Sequence, residues 1–213
     1  MQDKGFDDWA GRVYGAKSNE ELKQKYDAWA ADYDRDVESV RYNLPALAAG
    51  LFGRYVAPDA GEILDAGCGT GLLGDPLHLL GYQALTGIDL SHEMLAQAEA
   101  RGVYKELHAM DLGARLDFAD DRFAASTALG VLTPGHAPPT ALDEMLRVTR
   151  PGGHLIFTVS RPAFEEGGFK AHMAAIDAKG LWEARETTPS FRAIPGSKTE
   201  GDIEARFFVV RVR

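Results

Sequence analysis

Three glycines at alternate positions, Gly67, Gly69 and Gly71, follow an aspartate, Asp65, in the run I-L-D-A-G-C-G-T-G-L-L-G from Ile63 to Gly74. Alternate glycines between an apolar run and a helical pattern let the backbone turn sharply, and let a ligand lie against main-chain atoms that a Cβ would shield. That is the chemistry of a loop made to hold a nucleoside-type cofactor. A second carboxylate, Asp89 in L-T-G-I-D-L, stands about twenty residues on at the expected end of a strand, where it can accept both hydroxyls of a ribose. A third apolar run ends in Asp111-Leu112 and a fourth in Leu129. Ligands of open parallel sheets collect at the carboxyl ends of strands, so Asp65, Asp89, Asp111 and Leu129 are expected to share one crevice. Taken singly, Asp89 could cap a following helix and Asp111 could stabilise a turn.

The elements that must position these residues alternate from Glu62 onward. Strands are expected over 62–66, 83–89, 105–110, 122–129 and 154–160, with helices near 72–80, 91–101 and 140–149 and none clearly marked after the third strand. Ser91 and Thr140 are the expected N-caps. Beyond Pro162 follow a helix over 168–179 and strands over 181–187 and 203–212. The alternation predicts an α/β fold with a seven-stranded sheet covered on both faces. Upstream, Ser18 and Glu21 have capping-box spacing, and Leu22, Tyr26, Trp29 and Tyr33 then recur at helical intervals. A second helix begins near Pro45, and Asp59-Ala60-Gly61 breaks it. Residues 1–60 therefore read as a helical cap on a core spanning 61–213.

These stations, together with L-R-V-T-R-P-G-G-H-L-I-F from Leu146 to Phe157, resemble the class I S-adenosylmethionine-dependent methyltransferases over roughly residues 62–160. Y-D-A-W-A-A-D-Y-D-R-D-V from Tyr26, R-Y-N-L-P-A-L-A-A from Arg41 and G-V-L-T-P-G-H from Gly130 resemble, more narrowly, the methyltransferase-like proteins named for the Williams-Beuren critical region. The resemblance implies a Rossmann-like, mostly parallel sheet whose last strand enters antiparallel beside the fifth. It implies S-adenosyl-L-methionine as cofactor, S-adenosyl-L-homocysteine as product and an unidentified acceptor. It also implies a cofactor site. The backbone at Gly67 and Gly69 would meet the methionine part, with Asp65, Cys68 and Gly71 in the same loop. Asp89 would take the ribose, Asp111 and the Leu112 amide the adenine edge, and Leu90 and Met94 the adenine faces, with Leu129 in the wall. Tyr33, with Tyr26 and Trp29, would form a lid, although an aromatic stripe at this spacing also serves as ordinary core.

Methyl transfer is an in-line displacement in which positioning and exclusion of water carry much of the rate. If the acceptor is a hydroxyl or a protonated amine a base helps, and His136, after the fourth strand, is the candidate, its bland alternative being an exposed loop residue. Arg41 and Arg161 are placed to bind an anionic acceptor or the cofactor carboxylate, or to form surface ion pairs. The scattered histidines and single cysteine predict no metal site. A net charge of -9 argues against nucleic acid and for a small-molecule acceptor. Cys68 alone cannot form an intramolecular disulfide, and neither a secretion signal nor a run of about 18 apolar residues is present, which together fit a cytoplasmic protein outside the membrane. Two alternatives remain: a module that binds the cofactor without transferring its methyl group, and a dinucleotide site, since Gly69 to Gly74 reads G-T-G-L-L-G. The acids speak against the second, because a sulfonium gains from carboxylates that a pyrophosphate would avoid.

Overall fold

The computed structural model describes residues 5–213, so the first four residues of the segment read for a secretion signal lie outside it. Period-two burial explains the central sheet. In β1 (Ile63–Ala66) Leu64 turns to one apolar cluster and Ile63 to the other, and in the fifth strand Leu155 and Phe157 oppose Ile156 in the same way. The core strands are β1, β2 (Leu85–Asp89), β3 (Glu106–Ala109), β4 (Phe123–Leu132) and β5 (Thr149–Ser160), all parallel where they pair. The sheet runs β3-β2-β1-β4-β5-β8-β6, with β6 being Trp182–Thr187 and β8 Glu204–Val212. β8 is antiparallel to both its neighbours. An eighth strand, the two-residue β7 (Phe191–Arg192), pairs with the start of β8 and was not anticipated.

One face of the sheet is covered by α6 (Ala141–Val148), α7 (Arg161–Glu165) and α8 (Phe169–Ala178), whose Leu142, Met145, Ala163 and Phe169 join Leu64, Leu155 and Phe157. The other face is covered by α3 (Leu44–Tyr55) and α4 (Gly74–Leu79), through Leu44, Ala48, Phe52 and Leu77 packed with Ile63, Ala125 and Ile156. Thus α3, although upstream of the alternating region, lies inside the sheet's apolar layer. The remaining helices are α1 (Phe6–Tyr14), α2 (Asn19–Ser39) and α5 (His92–Ala100). Among the described residues no helix is long and apolar enough to cross a membrane.

Local rules explain most element starts. Ser18 Oγ accepts from Glu21 N at 3.2 Å and Ser91 Oγ from Met94 N at 3.1 Å. Thr140 departs from expectation: it flanks α6 with helical angles and makes no side-chain cap bond. The expected helix over 72–80 shortens to α4 because residues 70–73 turn before it, whereas β4 extends three residues past Leu129.

Phe52, fully buried between α3 and the sheet, gives a direct measure of how far the N-terminal segment belongs to the core. Phe52→Ala is expected to cost about 3–5 kcal/mol in urea unfolding. A loss below about 1 kcal/mol would show α3 to be a detachable cap.

Candidate active site

The glycine loop closes over the end of β1 because Gly67 N and Cys68 N both donate to Ile88 O of β2, at 2.7 and 2.9 Å. Gly67 and Gly69 adopt left-handed φ of 76° and 54°. Their reasons for being glycine differ. A Cβ on Gly67 would meet Val131 Cγ2 at 2.2 Å, whereas one on Gly69 would meet no atom within 4 Å and would stand in the cavity above the loop. At Gly71 a Cβ would strike Tyr104, Arg101 and Ala98. Only Gly69 therefore has the open cradle expected of all three glycines; Gly67 and Gly71 admit neighbouring protein.

Asp89 ends β2 and is held by backbone on both sides, Oδ2 accepting from Gly69 N and Oδ1 from Ser91 N, each at 2.9 Å. Burial pushes its pKa up, against the pull of these amides. A carboxylate has about four acceptor positions, so each oxygen keeps a lone pair for a further donor. Asp111 accepts from Gly113 N at 2.7 Å and from Asn19 Nδ2 at 2.6 Å.

A cavity of about 200 Å³ runs along the carboxyl ends of the strands beneath α1 and α2. It brings together Gly67, Gly69, Asp89, Leu90, Met94, Asp111, Leu112 and Leu129 with Tyr26, Trp29, Tyr33 and His136. Five expected site residues lie elsewhere. Asp65 is buried beneath the loop, its Oδ2 accepting from Tyr104 OH at 2.7 Å. Cys68 is buried against Gly87, and Gly71 packs on α5. Arg41 is exposed at a left-handed φ of 59°, and Arg161 is exposed 3.8 Å from Glu204. Among the described residues, no lysine or arginine lines the cavity.

Three segments tie α2 across the site. Besides Asn19, Asp27 Oδ1 accepts from Ser91 Oγ at 2.6 Å, and Asp34 accepts from Thr70 Oγ1 and pairs with Arg101, which also donates to Thr70 O at 2.6 Å. On the inner face Trp29 meets Tyr33 edge-on at 4.7 Å and stacks on Tyr26 at 6.1 Å. His136 is half-buried rather than exposed. Its Nε2 lies 2.9 Å from Tyr26 OH, its Nδ1 3.0 Å from Thr133 Oγ1 and 3.2 Å from Pro134 O, and Tyr14 packs edge-on at 5.5 Å. Desolvation pushes the imidazole pKa below its ordinary value, opposed by the Pro134 carbonyl. Tyr14, Asn19, Tyr42, Thr133, Ser160 and Glu200 also line the cavity and were missed in the sequence. Asn19 follows the recognised cap Ser18 and carried the one usable signal, its place at the start of the aromatic stripe; Glu200 lies in irregular chain with no periodicity to read.

The chain matches the methyltransferase domain family over residues 64–157. It is 36% identical to human methyltransferase-like protein 27 over 188 residues, covering 84% of this chain and 76% of that protein. The chain belongs to the class I S-adenosylmethionine-dependent methyltransferases. As a methyltransferase it uses S-adenosyl-L-methionine, the ligand bound in the crystal structure of Synechocystis magnesium protoporphyrin IX methyltransferase, which shares the fold at a TM-score of 0.58, with 18% identity over 97% of this chain and 90% of that one. The [4+2]-cyclase SpnF shares the fold at a TM-score of 0.71, with 19% identity over 92% of this chain and 97% of that one. The cavity suits this cofactor, since Gly69 leaves its backbone open and Asp89 keeps free acceptor positions.

Asp65 gives the methyltransferase a pH-dependent stability. Burial, with Asp89 nearby, raises its pKa from 3.8 to about 7 despite the Tyr104 bond. Between these values the unfolded chain has released the proton and the folded chain retains it, so stability falls as pH rises from about 4 to about 7. Asp65→Asn keeps an acceptor for Tyr104 without the titration. Its stabilisation relative to the parent should grow across that window towards a ceiling on the order of 4 kcal/mol. Parallel unfolding midpoints at every pH would refute the buried acid.

Proposed function

We propose that this methyltransferase acts in the cytoplasm on a small-molecule acceptor, with the cofactor laid along the ends of β3, β2 and β1 and the acceptor beyond the ends of β4 and β5. The lone buried thiol, which cannot form an intramolecular disulfide, supports a reducing compartment. Strand spacing of about 4.8 Å supports the division, because the ends of β2 and β5 lie three spacings apart in the sheet order β2-β1-β4-β5. Asp89 would accept the ribose hydroxyls and Asp111, already steadied by Asn19, the adenine amine. Leu90 and Met94 would cover the adenine, and the Gly67–Gly69 backbone would meet the methionine part. The bound sulfonium supplies an activated methyl group. Around it, α2 excludes water, with Tyr33 beside Asp89 and Trp29 packed behind.

The observation that carries the proton chemistry is the contact of Tyr26 OH with His136 Nε2. A proton on Nδ1 would donate to Pro134 O, leaving Nε2 to accept from Tyr26 and Tyr26 oxygen to accept from an incoming N–H or O–H. The depressed imidazole pKa keeps the ring neutral and ready to receive a proton.

Calorimetry with S-adenosylhomocysteine, alongside a radiolabelled methyl-transfer screen of metabolite pools, tests the assignment. Asp89→Ala should weaken binding of S-adenosylhomocysteine by roughly a hundredfold, the scale for losing two hydrogen bonds to a charged group. His136→Asn should lower kcat by about a hundredfold and leave that affinity within about twofold. Binding of a nicotinamide dinucleotide in place of S-adenosylhomocysteine would overturn the cofactor placement. An unchanged kcat in His136→Asn would remove the relay.

A further inference from the structure

Beyond the cofactor's share of the cavity, the wall facing the ends of β4 and β5 holds two polar groups without partners. Ser160 ends β5, is 6% exposed, and its Oγ makes no hydrogen bond among the described residues. Its sheet partner is Ala205, and Glu200 lies five residues earlier on the loop leading into β8. The Glu200 carboxylate lines the cavity and meets no donor or cation among the described residues. It is not a stray surface acid. Asp7 of α1 accepts from Ser197 Oγ at 2.5 Å, Lys198 N at 3.2 Å and Thr199 Oγ1 at 3.1 Å, and this fastens the loop beneath Glu200. Burial and the neighbouring Asp7 both push the Glu200 pKa up, as expected of an acid awaiting a cation.

We infer that the acceptor is an amine with an apolar body, bound as its ammonium by Glu200 and Ser160 against the Tyr14 and Tyr26 rings. The inference rests on the methyltransferase reading above and narrows its substrate. Asp89 and Asp111 are assigned to the cofactor, so Glu200 is the carboxylate left for the acceptor, and with no lysine or arginine among the described residues of the wall an anionic acceptor meets only repulsion there. Aromatic faces favour a desolvated ammonium. Val13, Ile194 and Ile203 surround the same space and suit hydrocarbon. In the reaction the ammonium yields one proton through Tyr26 and His136 to water, and its lone pair forms the N–C bond as the S–C bond breaks. The S–C electron pair stays on sulfur, and the N-methyl product leaves as a cation.

Radiolabelled transfer by the full chain to benzylamine and a panel of longer arylalkylamines, with benzyl alcohol and benzoate as matched controls, tests this beside calorimetry of S-adenosylhomocysteine. Label should enter amines alone. Glu200→Gln should raise the amine KM roughly tenfold, and Ser160→Ala about threefold, with little change in the Kd for S-adenosylhomocysteine. Label in the alcohol or benzoate, an unchanged KM in both variants, or no labelled amine from a protein that still binds S-adenosylhomocysteine overturns the amine assignment. Failure to bind S-adenosylhomocysteine removes instead the methyltransferase reading beneath it.

Discussion

The Asp89 carboxylate holds one backbone N–H from the glycine loop and one from the start of α5, and the site is assembled about that double contact. It joins the ends of β1 and β2 through main-chain donors, which have no rotamers to lose, so the loop and the helix start keep a fixed separation. Burial raises the cost of the charge while the two amides lower it. A carboxylate in this balance retains acceptor capacity aimed at the cavity, where a solvated surface acid would spend it on water.

The placement of α2 follows from the same geometry. Asn19, Asp27 and Asp34 are spaced by eight and seven residues, close to two helical turns each, so all three fall on the face of α2 that meets the core. They engage in turn the second residue past β3, the start of α5 and the glycine loop. A helix fastened at three points along its length lies over the cavity, and Tyr26, Trp29 and Tyr33 of its aromatic stripe line it. The stripe is both core and cavity wall: Trp29 donates to Asp36 at 2.9 Å and packs with Trp9, while Tyr26 and Tyr33 turn towards the ligand space.

Much of this was legible in the residues. Strand ends, the glycine loop and the place of Asp89 at the end of β2 follow from period-two burial and from φ values open to glycine, both local properties of the chain. What escaped depends on which neighbour a residue meets. Gly67 and Gly71 read as glycines kept open for a ligand, but Val131 and Tyr104 occupy the space a Cβ would need, although the Gly67 backbone still lines the cavity. Asp65 stands inside β1, where alternate side chains go to opposite faces, and Cys68, in the loop after the strand, is buried against Gly87, so both lie beneath the cradle. His136 resembled a loose Gly-His-Ala-Pro connection until Tyr14 and Tyr26, well over a hundred residues earlier, were brought onto it.

The proposed acceptor side is the least legible region for a physical reason. Its wall comes from four pieces distant in sequence: the end of α1, the loop after β4, the end of β5 and the chain between β7 and β8. None has a repeat that marks it. They converge because β8 enters antiparallel, so its first residues lie at the same sheet edge as the last residues of β4 and β5. The topology therefore determines where an acceptor is met, while irregular chain determines its chemistry. The proposed cofactor half can be read from one stretch of about fifty residues; the proposed acceptor half exists only once Tyr14, Thr133, Ser160 and Glu200 share a cavity.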